Sequence, residues 1–428
     1  MANEKKINLV AADMGYGHQR AAYPLFDLSG RELITANNYP GILEWETRYW
    51  EKSLSTYEKI SRLKKVPILG AGVFAIMDYF QKIKPFYPFR DLSALTSQQL
   101  LLYKVIKKGL GKKLIDDLSL NGLPLVTTFF AVVYMAEYHN FQGDIYCVVC
   151  DADISRAWAP IKPANSRTKY FAPNQRVRKR LMMYGIKAEN IIVTGFPLPM
   201  ENIGAKQEIV KEDLTRRINA LDPQGTYRQT EKALVKKILP DILVDEFKVK
   251  APIITFAVGG AGAQKEIGAL ILEKLALKIR EKKVNLNLVA GSRPEVADYF
   301  KEAIEKNGLS KEEGVKIIFA AKKMDYFKAF NLALRKTDIL WTKPSELSFY
   351  SALGLPIIMS TPVGSQEDFN REWLMETGGG LDSRDPRYVN EWLFDLLNSG
   401  RLARAAMDGF LNAEKMGTYN ITKHFSKK

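Results

Sequence analysis

The chain has 428 residues, too many for one ordinary core, and its 46% hydrophobic and 26% charged content is that of a folded globular protein rather than a disordered one. Its formal net charge of +15 favours an anionic partner: nucleic acid, an acidic membrane surface or a phosphate-bearing substrate. The opening MANEKKINLV passes from charged residues straight into a core-like strand, so it does not read as a cleavable signal. No uninterrupted apolar run approaches a membrane span, and cytoplasmic residence is the expectation.

In chain order, the first element is the apolar run Ile7–Ala12, read as a buried strand. It is followed by MGYGHQRAA, in which Gly15, Gly17 and the first of three histidines, His18, precede a small-residue helix over Gln19–Leu25. Glycines at a strand-to-helix turn let the chain bend sharply and leave backbone N–H groups open to an anion or a sugar. Arg62–Arg90 departs from this grammar. Lys64 and Lys65 precede an apolar stretch from Val66 to Met77, and Tyr79, Phe80, Phe86, Tyr87 and Phe89 interleave with Lys82, Lys84 and Arg90. With KVIKKGLGKKL downstream, the segment suits either a membrane interface or a helical subdomain with a solvated basic face.

Strands are expected at PLVTTFF, IYCVVCD, KYFAP and IIVTG in the first half, and at IITFAVGG, LNLVAG, VKIIFA, DILWTKP and PIIMS in the second. Each precedes a turn signal or a helical pattern, the grammar of parallel α/β architecture. The only two cysteines, Cys147 and Cys150, lack the second ligand pair that zinc requires and read as free thiols in a core strand. Residues 201–250 are polar and charge-rich and read as a helical linker or insertion. The expected domains are therefore 1–200, the linker 201–250, and 251–400. A basic helix over 401–428 follows, with a return to the first domain left open.

Four further stretches carry candidate chemistry. VTGFPLP places Gly195 in a turn after a strand. AVGGAGAQ sets Gly259, Gly260, Gly262 and Gln264 before a long amphipathic helix, aiming helix N-terminal N–H groups at a phosphate. TKPSE brings Lys343, Ser345 and Glu346 after a strand, with Ser345 as the candidate N-cap of a helix Glu346–Leu353. GSQEDFN brings Gln366, Glu367 and Asn370 after the next strand. All four lie at strand C-terminal ends, where open α/β sheets bind ligands.

The collinear set resembles the GT-B glycosyltransferases, in the branch of monogalactosyldiacylglycerol synthase, the processive diacylglycerol glucosyltransferases and the peptidoglycan lipid-linked N-acetylglucosaminyltransferase. ADMGYGHQRAA matches their glycine-rich opening loop, CVVCDADISRAWAP their aspartate and tryptophan at Asp151 and Trp158, and VTGFPLP the close of their first domain. VGGAGAQ, TKPSELSFYSALGLP and GSQEDFN match their donor region.

The resemblance implies two Rossmann-like domains with parallel sheets facing across a cleft. It also implies inverting transfer of a sugar, from a nucleotide sugar such as a UDP-sugar, to a lipid or lipid-linked acceptor at an anionic membrane surface. No cofactor, metal or nucleic acid is called for. His18 and Asp151 are then the catalytic candidates, an imidazole suiting removal of the acceptor's proton. Gly15, Gly17 and Trp158 lie on the acceptor side. Gly195, Gly259, Gly260, Gly262, Gln264, Lys343, Ser345, Glu346, Gln366, Glu367 and Asn370 form the donor set.

His139 and His424 lack a glycine frame and read as surface or capping residues. One departure stands out. The family's two glycines after TKP are missing and the spacing to GLP is two residues shorter, so Phe349 falls where a ribose-binding glutamate is expected and Glu346 is the nearby acid. A non-catalytic nucleotide-sugar or glycan-binding protein, and a nucleotide-sugar epimerase, are the alternative readings.

Overall fold

The computed structural model describes residues 6–63, 83–242, 250–259, 262, 264–362 and 365–426. The aromatic and basic segment singled out above therefore lies outside the described residues from Lys64 to Lys82, as does Gly260.

Two compact units make up the chain. The first comprises Met1–Leu198, Val363–Asn370 and Met416–Lys428, and the second Pro199–Pro362 and Arg371–Lys415. The first unit holds a six-stranded, all-parallel sheet of β1 (Asn8–Ala11), β2 (Ile34–Thr35), β3 (Leu125–Thr127), β4 (Ile145–Val148), β5 (Lys169–Ala172) and β6 (Ile191–Val193), in the order β2-β1-β3-β4-β5-β6. Near-continuous apolar runs such as NLVA and IYCV suit strands covered on both faces.

The second unit repeats the plan with β7 (Ile253–Ala257), β8 (Asn285–Gly291), β9 (Val315–Phe319), β10 (Ile339–Thr342), β11 (Ile357–Met359) and β12 (Gly380–Asp382), in the order β12-β11-β10-β7-β8-β9. Both are Rossmann-like sheets, as the GT-B class requires. In each, the direction of strand addition reverses once: between β1 and β3 in the first, and between β7 and β10 in the second. The crevice at the strand C-termini beside such a reversal is where open α/β sheets take ligands.

The stretch read as a linker is largely helical, with Glu208–Leu221 packed into the second unit. Arg217 there is buried and donates to the carbonyls of Thr337, Leu353 and Gly354, satisfying main chain that the sheet leaves open. The basic tail forms two helices, Arg401–Asn412 in the second unit and Gly417–Ser426 in the first. Ile421 and Phe425 of the latter join Ile7, Leu9, Val126 and Phe171 in one apolar core. Among the described residues, no helix is long and apolar enough to cross a membrane.

Candidate functional site

At the end of β1 the chain turns through Gly15, whose φ of 121° an L side chain rarely adopts, directly into a helix Tyr16–Ala22. The helix begins three residues earlier than the sequence reading placed it, so Gly17 and His18 lie on its first turn. Tyr16 is buried and anchors that turn. The half-buried His18 ring meets the edge of Phe129 at 4.8 Å between centroids and lies 6.3 Å from Trp158. Its Nδ1 is 2.6 Å from the carbonyl oxygen of Thr128, immediately after β3, so the two loops that flank the strand reversal are tied through this histidine.

Asp151 follows β4 and is half-buried. Its Oδ1 accepts from Asn370 Nδ2 at 3.4 Å, while Asn370 Oδ1 accepts from the Ala152 N–H at 2.8 Å. Asn370 is 1% exposed and belongs to the first unit. Asp153, which would complete an acidic pair with Asp151, is instead fully buried between Arg176 and Arg180, at 2.9 and 2.8 Å. Those guanidinium groups also stack on Phe86, so one aromatic ring of the basic segment serves the interior. Tyr87 and Phe89 remain largely exposed.

Trp158 is buried, its carbonyl accepting from the Tyr170 hydroxyl, so it forms a wall behind His18 rather than an exposed platform. Both cysteines are free and buried, and burial pushes the Cys147 thiol well up, away from thiolate chemistry. His139 and His424 meet Leu110 O and the Tyr146 hydroxyl. Gly195 lies against Gly417 of the last helix, where an added Cβ on Gly417 would come within 2.6 Å of the Gly195 oxygen, so VTGFPLP docks that helix.

In the second unit the chain leaves β7 through Gly259, and the Gly262 N–H closes the turn on the Gly259 carbonyl at 2.8 Å. Gln264 donates to Thr361 O at 3.0 Å, and helix Lys265–Arg280 follows. Gly268 on that helix allows close approach to the sheet, since a Cβ there would stand 2.8 Å from the Phe256 ring. Lys343, from the end of β10, lies across Gly259: its Cε would be 2.8 Å from a Cβ at that position. A cationic side chain thus roofs a turn that opens a sixteen-residue helix, an arrangement suited to phosphate.

Two expectations change here. Ser345 makes no side-chain cap bond, and Glu346–Leu353 is a 3₁₀ helix rather than an α-helix. Seven of its eight residues are buried, Phe349 against Trp373 at 4.9 Å, so packing rather than capping sets its course. Phe349 is core, and Glu346 is the half-buried acid at the head of the run. Gln366 and Glu367 are half-buried on helix Ser365–Glu376, whose residues through Asn370 belong to the first unit. The donor set is thereby divided: Gly259, Gly262, Gln264, Lys343, Ser345 and Glu346 lie in the second unit, and Gly195, Gln366, Glu367 and Asn370 in the first.

A processive diacylglycerol β-glucosyltransferase from Bacillus pumilus is 22% identical over 395 residues, covering 89% of this chain and 84% of its own length. The chain is a distant homologue of the processive diacylglycerol glucosyltransferases. Residues 296–427 of this homologue also match a family model described as a domain of unknown function, DUF6938. Among solved structures, the Staphylococcus aureus MnaA–UDP co-structure aligns with a TM-score of 0.49 at 15% identity, covering 99% of this chain and 96% of that one. Acinetobacter baumannii MurG aligns at 0.46 and 12%, covering 99% and 100%. No sequence motif marks Thr128, because both of its contacts with His18 use main chain: its carbonyl meets the ring, and its hydroxyl meets the His18 carbonyl.

Proposed function

We propose that the protein is a glycosyltransferase that moves a sugar from a nucleotide sugar, a UDP-sugar in the first instance, to the hydroxyl of a lipid or lipid-linked acceptor, with inversion. The observation that carries this reading is His18 held beside the strand reversal of the first unit. An imidazole there takes the acceptor's hydroxyl proton as the oxygen attacks the anomeric carbon, and the bond to the diphosphate breaks. The departing diphosphate's negative charge is met by the Gly259–Gly262 turn, the N-terminus of helix Lys265–Arg280 and Lys343.

The outer face of helix Ser97–Lys107 supports a membrane-surface acceptor. Leu100 and Leu101 are 47% and 62% exposed, and Lys104, Lys107 and the adjacent Lys108 are exposed beside them. Vesicles of anionic lipid containing diacylglycerol, with labelled UDP-glucose, UDP-galactose or UDP-N-acetylglucosamine, test both parts. A labelled glycolipid should form, and retention on the vesicles should fall at high salt and on neutralising Lys104, Lys107 and Lys108. No product from any donor would end the transferase reading. A binding protein is the second reading, favoured by Phe349 standing in the core where the resemblance expects a ribose ligand; it requires UDP binding without turnover.

A further inference from the structure

Thr128 touches His18 twice. Its carbonyl oxygen lies 2.6 Å from His18 Nδ1, and its hydroxyl donates to the His18 carbonyl at 2.9 Å. Thr128 is itself fully buried and fixed to the neighbouring strand, its N–H donating to Val10 O at 3.2 Å. The Cys150 thiol approaches the same Thr128 carbonyl at 3.6 Å, within the two-lone-pair capacity of that oxygen. One residue thus grips both the ring and the main chain of the histidine, and the Phe129 edge limits rotation of the ring.

A carbonyl oxygen can only accept a hydrogen bond. Nδ1 therefore carries the proton, and in the neutral ring Nε2 carries the lone pair. We propose that Thr128 is the positioning residue of the base: its carbonyl selects the Nδ1–H tautomer of His18, which puts the lone pair of the neutral ring on Nε2, and its hydroxyl locks the helix turn that carries the ring. The Nδ1–H form is the less favoured tautomer of a free histidine side chain, so the protein reverses the solution preference by one main-chain contact. The catalytic half of this proposal rests on His18 being the base.

Nitrogen NMR on the full chain labelled with ¹⁵N-histidine tests it, with His18→Gln assigning the resonance. At a pH where the ring is neutral, His18 should show a protonated Nδ1 and an unprotonated Nε2. Thr128→Val keeps the carbonyl and the shape but removes the hydroxyl. It should move the ring toward a mixture of tautomers and lower kcat by about 10–100-fold with the donor KM unchanged, as a small misplacement of a catalytic group does. Thr128→Ser should restore both readouts. A wild-type ring protonated on Nε2 would overturn the proposal, as would a Thr128→Val protein with unchanged tautomer and turnover. Should Thr128→Val not fold, the wild-type spectrum still decides the carbonyl contact and Thr128→Ser the hydroxyl. If His18→Ala keeps full turnover, the base reading fails, while the tautomer measurement still reports on the clamp separately.

Discussion

The turns after β1 and β7 occupy equivalent places, each at the strand reversal of a parallel sheet, yet they use glycine and its neighbours in opposite ways. After β1, Gly15 is needed for its φ of 121°; the space around it is open, with nothing within 4 Å of an added Cβ. The adjacent strand there supplies main chain, Thr128, to hold a side chain, His18. After β7, a Cβ at Gly259 would press on the side chain that the adjacent strand supplies, Lys343, which lies across it. The first turn is built to present one imidazole, and the second to present backbone beneath a cation. Rossmann-like topology puts a turn at the strand reversal of each unit, and the local use of glycine decides whether that turn presents a side chain or a peptide.

The largest expected effect breaks the first turn. His18→Ala should lower turnover by about 10²–10⁴-fold, the range for an acid–base group, with nucleotide affinity unchanged in calorimetry. Next comes the acid that follows β10 in the second unit. Glu346→Gln should weaken UDP binding by roughly an order of magnitude at an unchanged melting temperature if its carboxylate meets the ribose, because charged hydrogen bonds contribute about 1.5–3 kcal/mol. A lowered melting temperature with unchanged binding would make Glu346 a structural residue.

The two glycines then sharpen the contrast. Gly259→Ala displaces the Lys343 stem and should weaken UDP binding several-fold with little change in stability. Gly15→Ala meets no clash, but its strained backbone should cost about 1–3 kcal/mol, read as a lower melting temperature. Equal effects of the two on nucleotide binding would dissolve the distinction.

Much of this was legible in the residues. All ten expected strands are present, because short apolar runs bounded by turn signals leave little ambiguity in an α/β chain. β2 and β12, two and three residues long, carry no periodicity that could announce them. The Glu346–Leu353 run shows the opposite limit. Its serine, acid and spacing follow the rules for a capped α-helix, and burial of Leu347, Phe349 and Tyr350 overrides them. Asn370 was readable as a polar residue after a strand, but not as one whose amide is engaged at both ends by Ala152 and Asp151.

The smallest expected effect separates the units by pH. Burial raises the phenols of Tyr103, Tyr134, Tyr170 and Tyr184 in the first unit, Tyr103 to about 12 from an ordinary 10.0. Unfolded tyrosines ionise first, so the stability these groups hold is complete below pH 10 and falls as pH climbs through 10 to 12 and beyond. In the second unit Tyr227 and Tyr299 are raised. Protease cleavage followed from pH 9 to 12 should therefore open the first unit before the second.

Helix Gly417–Ser426 has a consequence for how the protein is made. Ile421 and Phe425 complete a core whose first members, Ile7 and Leu9, leave the ribosome almost a whole chain earlier. Domains usually fold in the order of their synthesis. Here the opening strand must wait, with one side of its core uncovered, while the entire second unit emerges and can fold ahead of it. The first unit is therefore completed after the second, with part of its apolar core uncovered through that interval.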